Sequence, residues 1–175
     1  HAFLAMEQPD ATGWRLELVG GADASSREYA LAVRRGALGH PVGIHFNAPR
    51  ALVHDTLAAA SIFWHGGGFG EDPDGHPERF EHFGIAVVEA MAAGAVPVVF
   101  GAAGPAEIVR HGVDGYHWHT QDELVHLTRR LIADADLRAT MSASAQARAK
   151  DFSHEVFTSH LRDTAARASR AAAVS

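Results

Sequence analysis

The run Glu81-His82-Phe83-Gly84-Ile85-Ala86-Val87-Val88-Glu89-Ala90-Met91-Ala92-Ala93-Gly94-Ala95-Val96-Pro97-Val98-Val99-Phe100 places a helix and a strand back to back. Its first half reads as an apolar, alanine-rich helix over residues 84–93, and Gly94 is a suitable left-handed residue to end it. The second half, Val96–Phe100, is a short apolar run of the kind buried in a parallel sheet. A helix feeding a strand with no polar face is the repeating unit of α/β architecture.

The flanks repeat that unit. Residues 14–20 alternate and end in Gly20-Gly21, a strand and its turn. Residues 25–38 suit a helix, with Ser25 or Ser26 available as N-cap. Val42–Phe46 is a second strand, and Pro49 opens a helix to about residue 59. Residues 62–64 form a third strand, followed at once by Gly66-Gly67-Gly68. Beyond the strand Val96–Phe100, Pro105 opens a short helix to Arg110, and residues 115–118 read as a fifth strand. Thr120-Gln121-Asp122-Glu123 is a capping box that starts a helix to Ala133. A helix over 137–149 follows, then an amphipathic one with Phe152, Val156, Phe157, Leu161 and Ala165 on one face. This alternation predicts a single α/β domain over residues 1–175: a Rossmann-like three-layer α/β/α sandwich on a parallel sheet.

Composition limits the partners. Apolar residues make up 47% and charged residues 21% of the 175, ordinary values for a globular domain with a substantial core. Net charge is −6 with no basic stripe, which argues against nucleic acid. Lys150 is the single lysine among 15 basic residues, an Arg bias that points to a GC-rich coding source. No cysteine is present, so disulfides and thiolate chemistry drop out. No apolar run approaches the roughly 20 residues of a membrane span, and no signal peptide is visible. The chain opens at His1 without an initiator Met and reads as a fragment or excised domain.

In open parallel sheets, ligands bind beyond the C-terminal ends of the strands. Gly20-Gly21 lies there but lacks the Gly-x-Gly-x-x-Gly fingerprint, so a nicotinamide site is not expected. Gly66-Gly67-Gly68-Phe69-Gly70 is either backbone that lets a ligand approach closely or a plain surface loop. The acidic Glu71-Asp72-Pro73-Asp74-Gly75 would repel phosphate and suits the acceptor or sugar side. Seven residues separate Glu81 from Glu89; were the segment fully helical, their Cα atoms would be about 12 Å apart. That is the span of a nucleotide sugar from sugar to ribose. The free N–H groups of Phe83, Gly84 and Ile85 would attract a diphosphate without metal, and Glu89 could accept from both ribose hydroxyls. The alternative leaves Glu81 as a helix-capping acid and Glu89 as a surface charge.

This segment resembles the Glu-x7-Glu signature of retaining glycosyltransferases of the GT-B fold, family 4 (group 1). The resemblance covers residues 14–161 and is specific over 81–99. It implies the donor-binding, C-terminal half of a bacterial, cytoplasmic, hexosyl-transferring enzyme that is metal-independent, with a GDP- or UDP-sugar as donor and no other cofactor. Glu81 would contact the transferred sugar as the catalytic-site acid. Phe83, Gly84 and Ile85, with Gly66 and Gly67, would present backbone to the donor, and Glu89 would hold the ribose. Phe46 and Ala48, with Leu52 or Val53, match where the family packs the base. Gly104-Pro105-Ala106-Glu107 resembles the family's Gly-Gly-x-x-Glu turn, placing Glu107 beside the donor, although an acid in a helix's first turn needs no such role. His82-Phe83-Gly84 is similar to the sequence after the first Glu in mannosyltransferases.

The family's Gly-Arg…Lys stretch for the diphosphate is not found; residues 1–13 start after it. The N-terminal acceptor domain is also missing, so the fragment is expected to be inactive alone, and peripheral membrane contact is a property left to the full-length enzyme. Arg50 and Arg79 are the remaining phosphate candidates or plain surface charges. His117-x-His119 sets two imidazoles on one strand face, and His65 and His82 flank the site, but no ligand set with metal spacing is completed. Rival readings are a GT-B-like nucleotide-sugar epimerase and a non-catalytic binding module.

Overall fold

The computed structural model describes residues 1–6, 12–72 and 75–172; of the segments read above, residues 7–11 and Pro73-Asp74 lie outside them. The α/β expectation holds. The strands are β1 (Leu16–Gly20), β2 (Val42–Phe46), β3 (Ile62–His65), β4 (Val96–Phe100) and β5 (Tyr116–Trp118). Between and after them run α1 (Arg27–Gly36), α2 (Arg50–Ala59), α3 (Ile85–Ala93), α4 (Ala103–Ile108), α5 (Gln121–Ala133), α6 (Ala135–Ala149) and α7 (His154–Ala172). All strand pairs are parallel, but the ladder falls into two groups, β1-β2 and β3-β4-β5.

The second group carries the dry core. β4 lies between β3 and β5, and its Val96, Pro97, Val98 and Val99 are buried. Pro97 stands one position before the pairing with β5 begins at Val98–Tyr116, where a missing N–H costs least. On one side Val87 and Met91 of α3 meet Ile108, Val109 and, from α6, Ala145 and Ala149. Small alanines there let α6 approach closely, and the Ser142 hydroxyl donates to the carbonyl of Gly94 at 2.6 Å. On the other side Trp118, Leu124, Leu131 and Met141 pack on Val96 and Val98. Trp64 Nε1 donates to the buried Thr128 hydroxyl at 2.9 Å, fastening β3 to α5.

The first group is thinner. Neither α1 nor α2 has a buried residue, and β1 and β2 are only half-covered. Helix α2 joins it to the rest through α3. The boundaries follow the sequence reading with local exceptions. Helix α4 begins at Ala103 rather than Pro105, which sits inside the first turn where its absent N–H is unneeded. Helix α6 begins at Ala135, because the Asp134 carboxylate caps it by accepting from Leu137 N at 2.8 Å. Of the apolar stripe expected on the last helix, Phe152 packs on the core, whereas Phe157 and Leu161 are 64% and 59% exposed.

Candidate functional site

The residues singled out from sequence lie in the segments that follow the C-terminal ends of β2, β3 and β4. Residues 81–84 form a non-helical turn, and α3 starts only at Ile85. Gly84 is the N-cap, left-handed at φ 98°, a conformation glycine adopts without penalty. The helical spacing estimated for Glu81 and Glu89 therefore does not apply, since Glu81 precedes the helix.

Glu81 is folded back on its own turn. Its Oε1 accepts from Phe83 N at 3.3 Å and Gly84 N at 3.1 Å. Those two amides, expected to be free, are therefore engaged by the carboxylate, whose other oxygen makes no hydrogen bond among the described residues. A carboxylate bonded this way is positioned rather than mobile. Phe83 and Ile85 side chains are 48% and 65% exposed, so the turn presents an apolar rim to solvent.

The turn is clamped from behind by α4. Gly104 N donates to the carbonyl of Glu81 at 3.1 Å. A Cβ on Gly104 would stand 2.3 Å from the His82 carbonyl oxygen and 2.5 Å from that of Phe83. The Gly104-Pro105 segment thus sits against the Glu81 turn. Glu107 lies one turn further along, exposed, and its carbonyl accepts from Arg148.

Gly67 and Gly66 pass over β3's end. A Cβ on Gly67 would be 3.0 Å from His65 Cε1 and 3.5 Å from Glu81 Cβ, so the imidazole and the acid share one corner. Burial pushes the His65 pKa below its usual 6.5, opposed by the Glu81 charge. Gly66 faces the ring of Trp118 at ordinary contact distance. Phe69 packs tilted against Trp118 and edge-on against Phe100, with centroids 4.9 and 5.6 Å away, closing the glycine loop over the strand ends.

Glu89, half-buried on α3, faces α2: Arg50 Nη2 is 3.9 Å from its Oε1. Arg50 therefore stands beside the Glu89 carboxylate, whereas Arg79 is paired with Glu71 at 2.8 Å in the loop. Phe46, with the Arg34 guanidinium 5.3 Å from its ring centroid, ends β2, and half-buried Ala48 follows two residues later. Between them Asn47, at φ 53°, exchanges two hydrogen bonds with Ala22, tying the β2 end to the β1 turn.

The histidine pair stays together: His117 and His119 both lie beside Gly101, and both line one cleft with His111. His117 Nε2 donates to the Val109 carbonyl at 2.7 Å, and His119 lies past the strand with its amide held by Glu123. No group of three His, Cys, Asp or Glu placed to hold a metal occurs among the described residues. Likewise no described helix is long and apolar enough to cross a membrane.

The family described as glycosyl transferases group 1 matches residues 1–148. A GDP-Man:Man(3)GlcNAc(2)-PP-Dol alpha-1,2-mannosyltransferase of Dictyostelium discoideum is 39% identical over 84 residues, 47% of this chain and 17% of that protein. Sucrose synthase 2 of Zea mays is 51% identical over 41 residues, 23% of this chain and 5% of that one. The structure of Anabaena Alr3699/HepE in complex with UDP and glucose is similar with a TM-score of 0.70 at 26% identity, covering 87% of this chain and 40% of that chain. The chain thus spans less than half the length of these proteins.

Proposed function

The chain belongs to the group 1 glycosyl transferases, and on that premise we propose that it is the donor-binding, C-terminal half of a retaining, family 4 enzyme of GT-B fold. The carrying observation is the Glu81 turn: a carboxylate fixed by two backbone amides, backed by Gly104, at the entrance of a helix whose Glu89 faces α2. The UDP and glucose held by the Anabaena neighbour support a nucleotide sugar as ligand; the mannosyltransferase relative keeps a GDP-sugar equally in view.

In this reading the sugar lies at Glu81 and the ribose at Glu89, whose carboxylate is a planar acceptor for a diol. The base rests near Phe46 and Ala48. The diphosphate lies over the start of α3, where Ile85 N and the helix dipole favour negative charge. Because Glu81 occupies the Phe83 and Gly84 amides, further positive charge comes from Arg50 or from parts of the enzyme outside this chain. The anomeric C–O bond to the diphosphate breaks while a bond to the acceptor oxygen forms on the same face, and the acceptor proton passes to the departing phosphate. The chain's work is positioning and electrostatic support of that leaving group, without a metal.

Calorimetric titration of the chain with UDP-, GDP- and ADP-sugars, wild type against Glu89→Ala, tests the assignment. Loss of a charged acceptor for two hydroxyls is expected to weaken the preferred donor about 10- to 100-fold. In the full-length enzyme Glu89→Ala lowers transfer correspondingly; unchanged transfer there would sink the assignment.

A further inference from the structure

His65 ends β3 at the ligand-facing end of the sheet, with its ring half-buried. Its Nδ1 is buried and has no hydrogen-bond partner among the described residues. Burial disfavours the charged ring, opposed by Glu81, and the neutral ring carries one N–H. A buried N–H with no acceptor is the costlier choice, which leaves the lone pair on Nδ1 and the proton on Nε2. That Nε2 edge faces Gly67, where an added Cβ would be 3.3 Å from it, with Glu81 on the same side.

One corner of the site therefore brings an imidazole donor close to Glu81, whose carboxylate is held by its own turn. Donor beside acceptor is complementary to hydroxyl groups. It does not suit phosphate, which the Glu81 charge repels. We propose that His65 is a sugar-contacting residue, donating from Nε2 to a hydroxyl of the donor's sugar while Glu81 accepts from the same face. The absence of a side chain at residue 67 keeps that edge open. This rests on the donor-binding reading and adds a residue to it.

The test uses the whole chain with UDP-glucose and GDP-mannose, and UDP and GDP as sugar-free controls. Long-range ¹H–¹⁵N spectra of the wild type read the His65 tautomer directly, with no variant needed. The Nε2–H form is expected, with its resonance moving on addition of the sugar nucleotide and not of the bare nucleotide. In calorimetry, His65→Leu is expected to weaken sugar-nucleotide binding about 5- to 10-fold and leave the bare nucleotide unchanged. His65→Gln, whose amide reaches the Nε2 position, restores most of the difference. An unmoved His65 resonance, or equal losses for nucleotide and sugar nucleotide, overturns the assignment and leaves the donor site standing. Failure of the wild type to bind any of the four overturns the donor-binding reading and this inference with it.

Discussion

Gly104 shows how one missing side chain can hold a site in shape. Two carbonyl oxygens of the Glu81 turn occupy the space a Cβ would need, at 2.3 and 2.5 Å, and backbone atoms cannot swing aside. Gly104→Ala is therefore expected to destabilise the fold by about 2 kcal/mol. It should also reduce donor binding beyond what the stability loss explains, because the turn that positions Glu81 must move. Urea unfolding and calorimetry on the same variant separate the two effects. Gly84 has a different constraint, since its left-handed backbone strains any other residue whatever the room. Both glycines stand out as motif letters in the sequence. The engagement of the Phe83 and Gly84 amides by Glu81 does not, because it depends on a side-chain rotamer. His65 is visible only as a histidine before a glycine run; its orphaned nitrogen is a property of packing.

At the scale of elements, local chemistry is well encoded. The capping box at α5 forms as its four letters imply: Glu123 N donates to the Thr120 hydroxyl at 3.2 Å, and Thr120 N to the Glu123 carboxylate at 3.3 Å. The amides of His119 and Thr120 hold that carboxylate below its ordinary pKa. Thr120→Ala is expected to cost about 1 kcal/mol, read as a lower urea midpoint at unchanged slope. Helices α3 and α5 and all five strands are legible because periodicity, caps and glycine stops act within a few residues. Starts such as those of α4 and α6 shift by two residues, since a turn can be completed by whichever cap its neighbours permit. The apolar positions of α7 show the limit of periodicity: Phe157 and Leu161 make an amphipathic face, yet nothing in the described fold covers it.

For the whole molecule, two half-buried histidines set a pH response. Burial lowers His65 below 6.5, opposed by Glu81. Burial also lowers His117, aided by the charges of His111 and His119 and opposed by its Val109 bond and Asp114. The native state then binds fewer protons than the unfolded chain below about pH 6.5, so stability is present above that value and falls as pH drops through it. The melting temperature is expected to decline between pH 7 and 5, and His117→Gln, which keeps a donor for Val109, should flatten that decline; an unaltered slope would exclude His117 as a source. By itself the sequence determined the α/β class, the order of elements and the Glu81-to-Glu89 motif with its family, since each is written in periodicity, caps and spacing along the chain. Only the tertiary structure decided that the parallel strands divide into two groups, that Gly104 backs the Glu81 turn, that Arg50 faces Glu89, and that His65 meets Glu81 across Gly67. Those relations join residues far apart in sequence, and distance along a chain carries no record of which side chains share a corner once it folds.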